Sequence, residues 1–215
     1  MEYRQRHTAK KWVWMEAKVS FFIDEENAKP HLLIVSRDIE ERKVLQEELK
    51  SLAYRDELTG LPNRRLFEGK IQQTIREAKR HHQKFAVLLM DIDKFKWVND
   101  TLGHSVGDEL LKLFGKRVSK CLRSGDIFAR IGGDEFTILL QDISDEDEAK
   151  KCAKRILASL QQQWKIGENT FNTTSSIGIA CYPIHGENLE GIMKNADEAL
   201  YKAKESGRNT YHIFS

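Results

Sequence analysis

The sequence predicts an α+β fold: a mixed domain built round a central sheet, with a β-hairpin and a connecting helix ahead of it. Three observations carry this expectation. From Asp56 onward, segments of helical periodicity alternate with short β-rich segments. Phe85-Ala86-Val87-Leu88-Leu89-Met90 is a continuous apolar run, as in a buried central strand. Gly132-Gly133 joins two further β-rich segments, Ile127–Ile131 and Phe136–Leu140, in the manner of a tight hairpin.

The remaining elements follow in order. Trp12–Ile23 and His31–Ser36 are β-rich, and the turn residues Asp24–Pro30 between them complete a hairpin. Two strands cannot bury an apolar face alone, so this pair either packs on something else or belongs to a larger domain. Asp38 stands where a helix N-cap would, with Glu41 three positions on. The charged segment Ile39–Tyr54 is then helical, with Leu45, Leu49 and Leu52 on one stripe. That spacing suits a short coiled-coil seam between two chains, and equally a helix packed on its own domain. Helices are expected at 66–82, 107–122, 146–162 and 189–204, and a strand at 170–180. The expected organisation is a hairpin unit at 1–38, a helical linker at 39–54 and the main domain at 55–215.

Composition narrows the function. The chain has 215 residues, 32% charged and 40% hydrophobic, which fits a globular protein. Lys plus Arg number 35 against 33 for Asp plus Glu, so a net charge of +2 gives no ground for a nucleic-acid partner. Cys121, Cys152 and Cys181 are far apart and odd in number, which points to reduced thiols in a cytoplasmic protein. No apolar run approaches the roughly 20 residues of a membrane helix, and no membrane contact is expected.

Four groups of residues could do chemistry. Asp91-Ile92-Asp93 ends the apolar strand, at the rim where open sheets bind ligands, and its carboxylates suit a hard cation. An acidic loop start in water would look the same. Gly132-Gly133-Asp134-Glu135 leaves bare backbone at a turn beside two acids, so a phosphate can approach closely. If this hairpin pairs beside the Phe85–Met90 strand, Asp91 and Asp134 converge, as a two-metal phosphoryl-transfer centre requires to hold ions about 3.5–4 Å apart. Lys204 and Arg208, four apart at a helix C-terminus, could meet a phosphate together, or could simply complement the helix dipole. Asn99 and Asp108 flank Leu102-Gly103-His104. A carboxylate there accepts from guanine N1–H and N2–H₂ and rejects adenine, although Asp108 also reads as a first-turn acid of a helix.

In this order the groups resemble one family. Asp56-Glu57-Leu58-Thr59-Gly60-Leu61-Pro62-Asn63-Arg64-Arg65, the stretch Asp91–Asp100 continued by Gly103-His104 through Gly107-Asp108, and Arg130-Ile131-Gly132-Gly133-Asp134-Glu135-Phe136 resemble the motifs of GGDEF-type diguanylate cyclases. Ser176–Ala180 and Ala196–Asn209 match its C-terminal motifs. The resemblance implies a palm-like, mainly antiparallel sheet, as in nucleotidyl cyclases and polymerases, and condensation of two GTP into cyclic di-GMP with loss of two pyrophosphates. It implies two Mg²⁺ (or Mn²⁺) ions per active site, on Asp91, the Ile92 carbonyl, Asp134 and Glu135. Asp134 would take the 3′-OH proton, with Glu135 supporting it. Asn99, His104 and Asp108 would line the guanine loop, Gly132 and Gly133 would border the substrate, and Lys204 and Arg208 would hold the triphosphate. One domain binds one GTP in this family, so turnover implies a homodimer. Arg123-Ser124-Gly125-Asp126 matches the family's product-inhibition site, while a plain Arg–Asp ion pair is the competing reading. The N-terminal piece resembles the tail of a PAS sensor domain. The alternative function is a catalytically silent module that binds GTP or cyclic di-GMP. The intact acids Asp91, Asp134 and Glu135 favour the enzyme.

Overall fold

A computed structural model describes residues 1–6, 12–23 and 30–215. The chain divides into two compact units, residues 1–53 and 54–215.

In the first unit, β1 (Glu2–Arg6), β2 (Trp12–Ile23) and β3 (Pro30–Asp38) form an antiparallel sheet in that order. The expected hairpin is therefore joined by a further strand, β1, which alternates too weakly in hydrophobicity to show in the sequence. The expected turn residues Asp24–Lys29 lie outside the described residues. Helix α1 (Glu40–Tyr54) follows, and the Asp38 carboxylate accepts from Glu40 N–H at 2.8 Å, as a capping side chain does. Ile39 is buried, and its N–H donates to the Trp14 carbonyl at 2.9 Å. Leu45, Leu49 and Leu52 do lie on one exposed stripe of α1, and Phe21, Leu32 and Ile34 are exposed on the sheet.

The second unit carries α2 (Arg64–His81), β4 (Phe85–Ile92), α3 (Phe95–Leu102), α4 (His104–Ser119), β5 (Ile127–Gly132), β6 (Glu135–Leu140), α5 (Glu146–Leu160), β7 (Trp164–Ile166), β8 (Asn169–Phe171), β9 (Ser175–Tyr182), α6 (Leu189–Glu205) and β10 (Tyr211–Ile213). The five-stranded sheet runs β10-β9-β4-β6-β5, antiparallel except for the β10–β9 pair. Strand β4 sits at its centre and is buried on both faces, which explains its unbroken apolar run. Leu88, Met90 and Ile92 face α4 and α5, where Phe114 packs on Phe136 with ring centroids 4.8 Å apart. Phe85 and Val87 face the opposite way, into a layer with Phe67 and Ile71 of α2 and Ile192 and Ala196 of α6.

Two expectations change. Residues 170–180 are not one strand. Gly167, at φ 59°, turns β7 into β8, and β9 starts afresh at Ser175. Thr173 between them is drawn away, its carbonyl accepting from Trp164 Nε1 at 3.0 Å. The segment after Asp91 is not all loop either. Phe95, Val98 and Leu102 recur at helical spacing, and α3 buries Val98.

Helix α6 lies closer to β9 than any side chain would permit. A Cβ placed on Gly178 would stand 2.1 Å from the Ala196 carbonyl oxygen and 2.2 Å from Leu200 N, both backbone atoms. Gly178→Ala is therefore expected to lower stability by about 3 kcal/mol, the upper range for forced overpacking, as read from urea unfolding midpoints.

Candidate functional site

The sheet brings three strand ends to one rim. Asp91 of β4 is in register with Glu135 of β6 on one side and Ser176 of β9 on the other. Residues in register across adjacent strands share a face, so the glycine turn between β5 and β6 delivers Asp134 and Glu135 beside Asp91. That turn needs Gly133, at φ 54°, and follows a register shift between Arg130 and Gly132. Arg130 clamps it. Its Nε and Nη2 donate to the Gly133 carbonyl at 2.9 and 2.7 Å, and its Nη1 donates to both carboxylate oxygens of Asp56 at 3.0 Å. Asp56 also accepts from Thr59 N–H at 2.8 Å and Thr59 Oγ1 at 2.6 Å. Burial opposes the charge on Asp56, but the Thr59 and Arg130 hydrogen bonds outweigh it and hold its pKa below the usual aspartate value.

Asp91 and Asp134 behave oppositely. Burial lifts the pKa of Asp91, the neighbouring Asp134 charge lifts it further, and Lys204 only partly offsets this. Burial likewise lifts Asp134, Glu135 adds to it, and Lys204 and Arg130 pull against it. Lys204 reaches in from the last turn of α6, its Nζ 2.7 Å from Asp91 Oδ2. Two adjacent carboxylates short of positive charge suit a divalent cation. Among the described residues no three or more His, Cys, Asp or Glu side chains cluster as a ready-made cage. Mg²⁺ fits such an open set, since it binds through one or two carboxylates and completes its shell with phosphate oxygens and water. Glu135 is exposed and borders a cavity of about 320 Å³ with Arg64, Met193 and Asp197. The Ile92 side chain is fully buried, which leaves only its backbone to serve a ligand.

The base-reading candidates sit together on α3 and α4. A Cβ on Gly107 would lie 1.9 Å from Asn99 Oδ1, so the Asn99 amide rests directly against the bare backbone of α4. Asp108 is the next residue, exposed, and His104 is exposed at the first position of α4. Gly107 thus seats a candidate side chain, a role that only the packing reveals.

Helix α6 ends at Glu205, one residue past the expected end, so Lys204 lies in its last turn and Arg208 beyond it. Gly207, Arg208 and Asn209 all take positive φ, at 101°, 64° and 48°. This turn carries Arg208 to a cavity of about 510 Å³ shared with Lys94, Trp97 and Thr174, while Lys204 engages Asp91.

Arg123 and Asp126 lie in a separate pocket. Asp126 Oδ2 accepts from Arg123 N–H at 3.0 Å and Oδ1 from Arg123 Nε at 3.2 Å. Arg123 Nη2 also donates to the Gln141 carbonyl. The pocket, about 270 Å³, is lined too by Lys151, Cys152 and Arg155, two of them cations that no motif singled out.

A palm-like sheet with paired acids on its central strand and glycine turn defines a nucleotide-handling class of domain. The chain belongs to the GGDEF family of diguanylate cyclase domains, whose model matches residues 53–210. It is 41% identical over 173 residues to the diguanylate cyclase TpbB of Pseudomonas aeruginosa, a match covering 79% of this chain and 40% of that protein. It is 37% identical over 196 residues to the cyclic di-GMP phosphodiesterase PdeR of Escherichia coli, covering 90% of this chain and 29% of that one. The solved GGDEF domain of TpbB superimposes with a TM-score of 0.74 at 39% identity, covering 75% of this chain and 95% of that structure. The chain thus spans about two fifths of the length of TpbB or less than that of PdeR.

Asp56→Asn removes the charge that holds Arg130 on the glycine turn. It is expected to cost about 2 kcal/mol near neutral pH, the usual range for a charged hydrogen bond. Because folding depresses the Asp56 pKa, the wild-type advantage exists above the unfolded aspartate pKa and fades as pH falls through the lower folded value. Urea titrations of both proteins across the acid range check this.

Proposed function

We propose that this chain is a diguanylate cyclase, condensing two GTP into cyclic di-GMP and releasing two pyrophosphates. The observation that carries the reading is the convergence of Asp91 and Asp134 at the sheet rim, with Lys204 2.7 Å from Asp91. Two Mg²⁺ or Mn²⁺ ions, held by Asp91, the Ile92 carbonyl, Asp134 and Glu135, would neutralise phosphate charge and polarise the attacking hydroxyl.

The chain's own residues do the rest. Asn99 and Asp108 orient the guanine, with His104 lining the same loop, and the Asn99 amide is held in place by Gly107. The bare backbone of Gly132 and Gly133 lets the substrate approach the acids. Lys204 and Arg208 stabilise the phosphate chain. Asp134, whose pKa burial lifts, accepts the proton of the 3′-hydroxyl as its oxygen bonds to the α-phosphorus of the second GTP. The bond from that phosphorus to the pyrophosphate oxygen breaks as the new one forms, in line. A second such step closes the ring. Each domain presents one GTP, so two copies must face each other, and the exposed Leu45–Leu49–Leu52 stripe of α1 is available for such pairing.

The relationship to PdeR, a protein named for the opposite activity, keeps a second reading in view: a silent module that binds GTP or cyclic di-GMP. Incubation with GTP and Mg²⁺ separates the two. Cyclic di-GMP in the chromatogram supports the cyclase, whereas intact GTP from a folded dimer supports the silent module. Asp134→Ala is expected to abolish turnover, at least a hundredfold, with the thermal unfolding curve retained.

The Arg123–Asp126 pocket is proposed to bind the product, with the guanidinium on phosphate and guanine and Asp126 on guanine. Lys151 and Arg155 add charge of the right sign. Arg123→Ala is then expected to raise the cyclic di-GMP concentration needed for half-inhibition by tenfold or more. Unchanged inhibition would leave only the ion pair.

A further inference from the structure

Asp93 belongs to the same acidic motif as Asp91, yet the chemistry proposed above leaves it without a task. Its side chain is 4% exposed and makes no ion pair with Lys204. Instead both carboxylate oxygens are engaged. Oδ1 accepts from Ser176 Oγ at 2.7 Å. Oδ2 accepts from Thr174 Oγ1 at 2.5 Å and from Asn209 N–H at 3.1 Å. The backbone of Asp93 is tied to the same neighbourhood, its N–H to the Thr174 carbonyl at 2.9 Å and its carbonyl to Thr173 Oγ1 at 2.6 Å. With its oxygens so occupied, Asp93 is ill placed to ligate a cation.

The Asn209 bond is the informative one. It joins residues 116 apart in sequence and ends in the turn Gly207-Arg208-Asn209. Arg208 and Asn209 are non-glycine residues in the left-handed region, a conformation that persists only where the surroundings hold it. Two other ties reach this turn: Arg208 N–H donates to the Ala203 carbonyl at 3.2 Å, and Asn209 Oδ1 meets Gln161 Nε2 at 3.5 Å. The bond to Asp93 is the charge-assisted one, and it anchors the turn to the end of the central strand.

We propose that Asp93 is a positioning residue: its buried carboxylate fixes the left-handed turn that aims Arg208 at the phosphate chain of the substrate. Lys94, the next residue after Asp93, lines the same cavity as Arg208. Asp93 therefore reaches two sides of that cavity, through its backbone next to Lys94 and through its carboxylate to Asn209. The inference rests on the reading of Arg208 as a phosphate-binding residue and names what keeps it in place.

The test is calorimetric titration of the full chain with the non-hydrolysable analogue guanosine 5′-(β,γ-imido)triphosphate and, separately, with GMP, both in Mg²⁺. Wild type is expected to prefer the triphosphate, and Arg208→Ala to lose about tenfold of that preference, Lys204 and the metal ions keeping the rest. Asp93→Ala is expected to weaken triphosphate binding about tenfold, as loss of a charged hydrogen bond implies, while GMP binding stays within about twofold. Asp93→Asn, which still accepts from Asn209, should recover most of the affinity. In the double variant Asp93→Ala/Arg208→Ala, the triphosphate should bind no more weakly than to Arg208→Ala alone, since a residue acting through Arg208 has nothing left to position.

A wild-type preference that Asp93→Ala leaves intact overturns the positioning role alone. So does an equal loss for both ligands, or losses that multiply in the double variant. A wild type that binds the two ligands alike removes Arg208 from the phosphate site, and the proposal with it. Should Asp93→Ala fail to fold, Gly207→Ala probes the turn from outside. Its Cβ meets no atom within 4 Å, so only the φ of 101° is disturbed. Unchanged triphosphate binding by Gly207→Ala then overturns the proposal.

Discussion

Asp91 and Asp134 stand at the rim of an apolar sheet, in a place where burial disfavours the charge on each, the Asp134 charge adds to this at Asp91, and the Glu135 charge adds to it at Asp134. Most of the site's architecture answers that repulsion. Lys204 is brought within 2.7 Å of Asp91 by a helix docked so closely on β9 that only glycine fits beneath it. Arg130 adds a second positive charge near Asp134 while holding the glycine turn by its carbonyl. The compensation is partial even so, since burial and the neighbouring acids still hold both pKa values above the usual aspartate value. A site in that condition favours incoming cations and protons, which is the electrostatic footing that phosphoryl-transfer chemistry needs.

A second tier of acids behaves differently. Asp56 and Asp93 hold no substrate in the proposed mechanism. Each is saturated with donors instead: Thr59 and Arg130 on one, Thr174, Ser176 and Asn209 on the other. One ties the start of the domain to the glycine turn, and the other ties the central strand to the turn that carries Arg208. Carboxylates thus occur here in two conditions, electrostatically frustrated at the rim and fully satisfied behind it. The second kind keeps the first in register.

Much of this was legible in the sequence, for identifiable reasons. The apolar run Phe85–Met90 marks the central strand because burial on both faces erases alternation. Gly132-Gly133 marks the turn because Gly133 adopts a conformation that glycine accepts readily. Other features left little local trace. Helix α3 is only eight residues long and begins within a motif that reads as a loop. The break between β8 and β9 depends on Thr173 reaching Asp93, 80 residues away, and on Trp164. Strands β1 and β10 are too short or too polar to signal themselves. The division of labour between Lys204 and Arg208 left no trace in their spacing, because the left-handed turn at 207–209 decides where Arg208 goes.

The seating of Asn99 against Gly107 has a consequence for how such a domain could change over time. The amide and Asp108 lie on α3 and α4, and among the described residues no hydrogen bond joins them to the carboxylates of the sheet. Two groups of residues that share no partner accumulate substitutions almost independently. In the proposed mechanism the preference for a particular base could therefore drift, or be redirected in the laboratory, along α4 alone, with the proposed phosphate chemistry unaltered. The bare backbone at Gly107 is the narrow point in that freedom: it tolerates new neighbours only as long as it carries no side chain of its own.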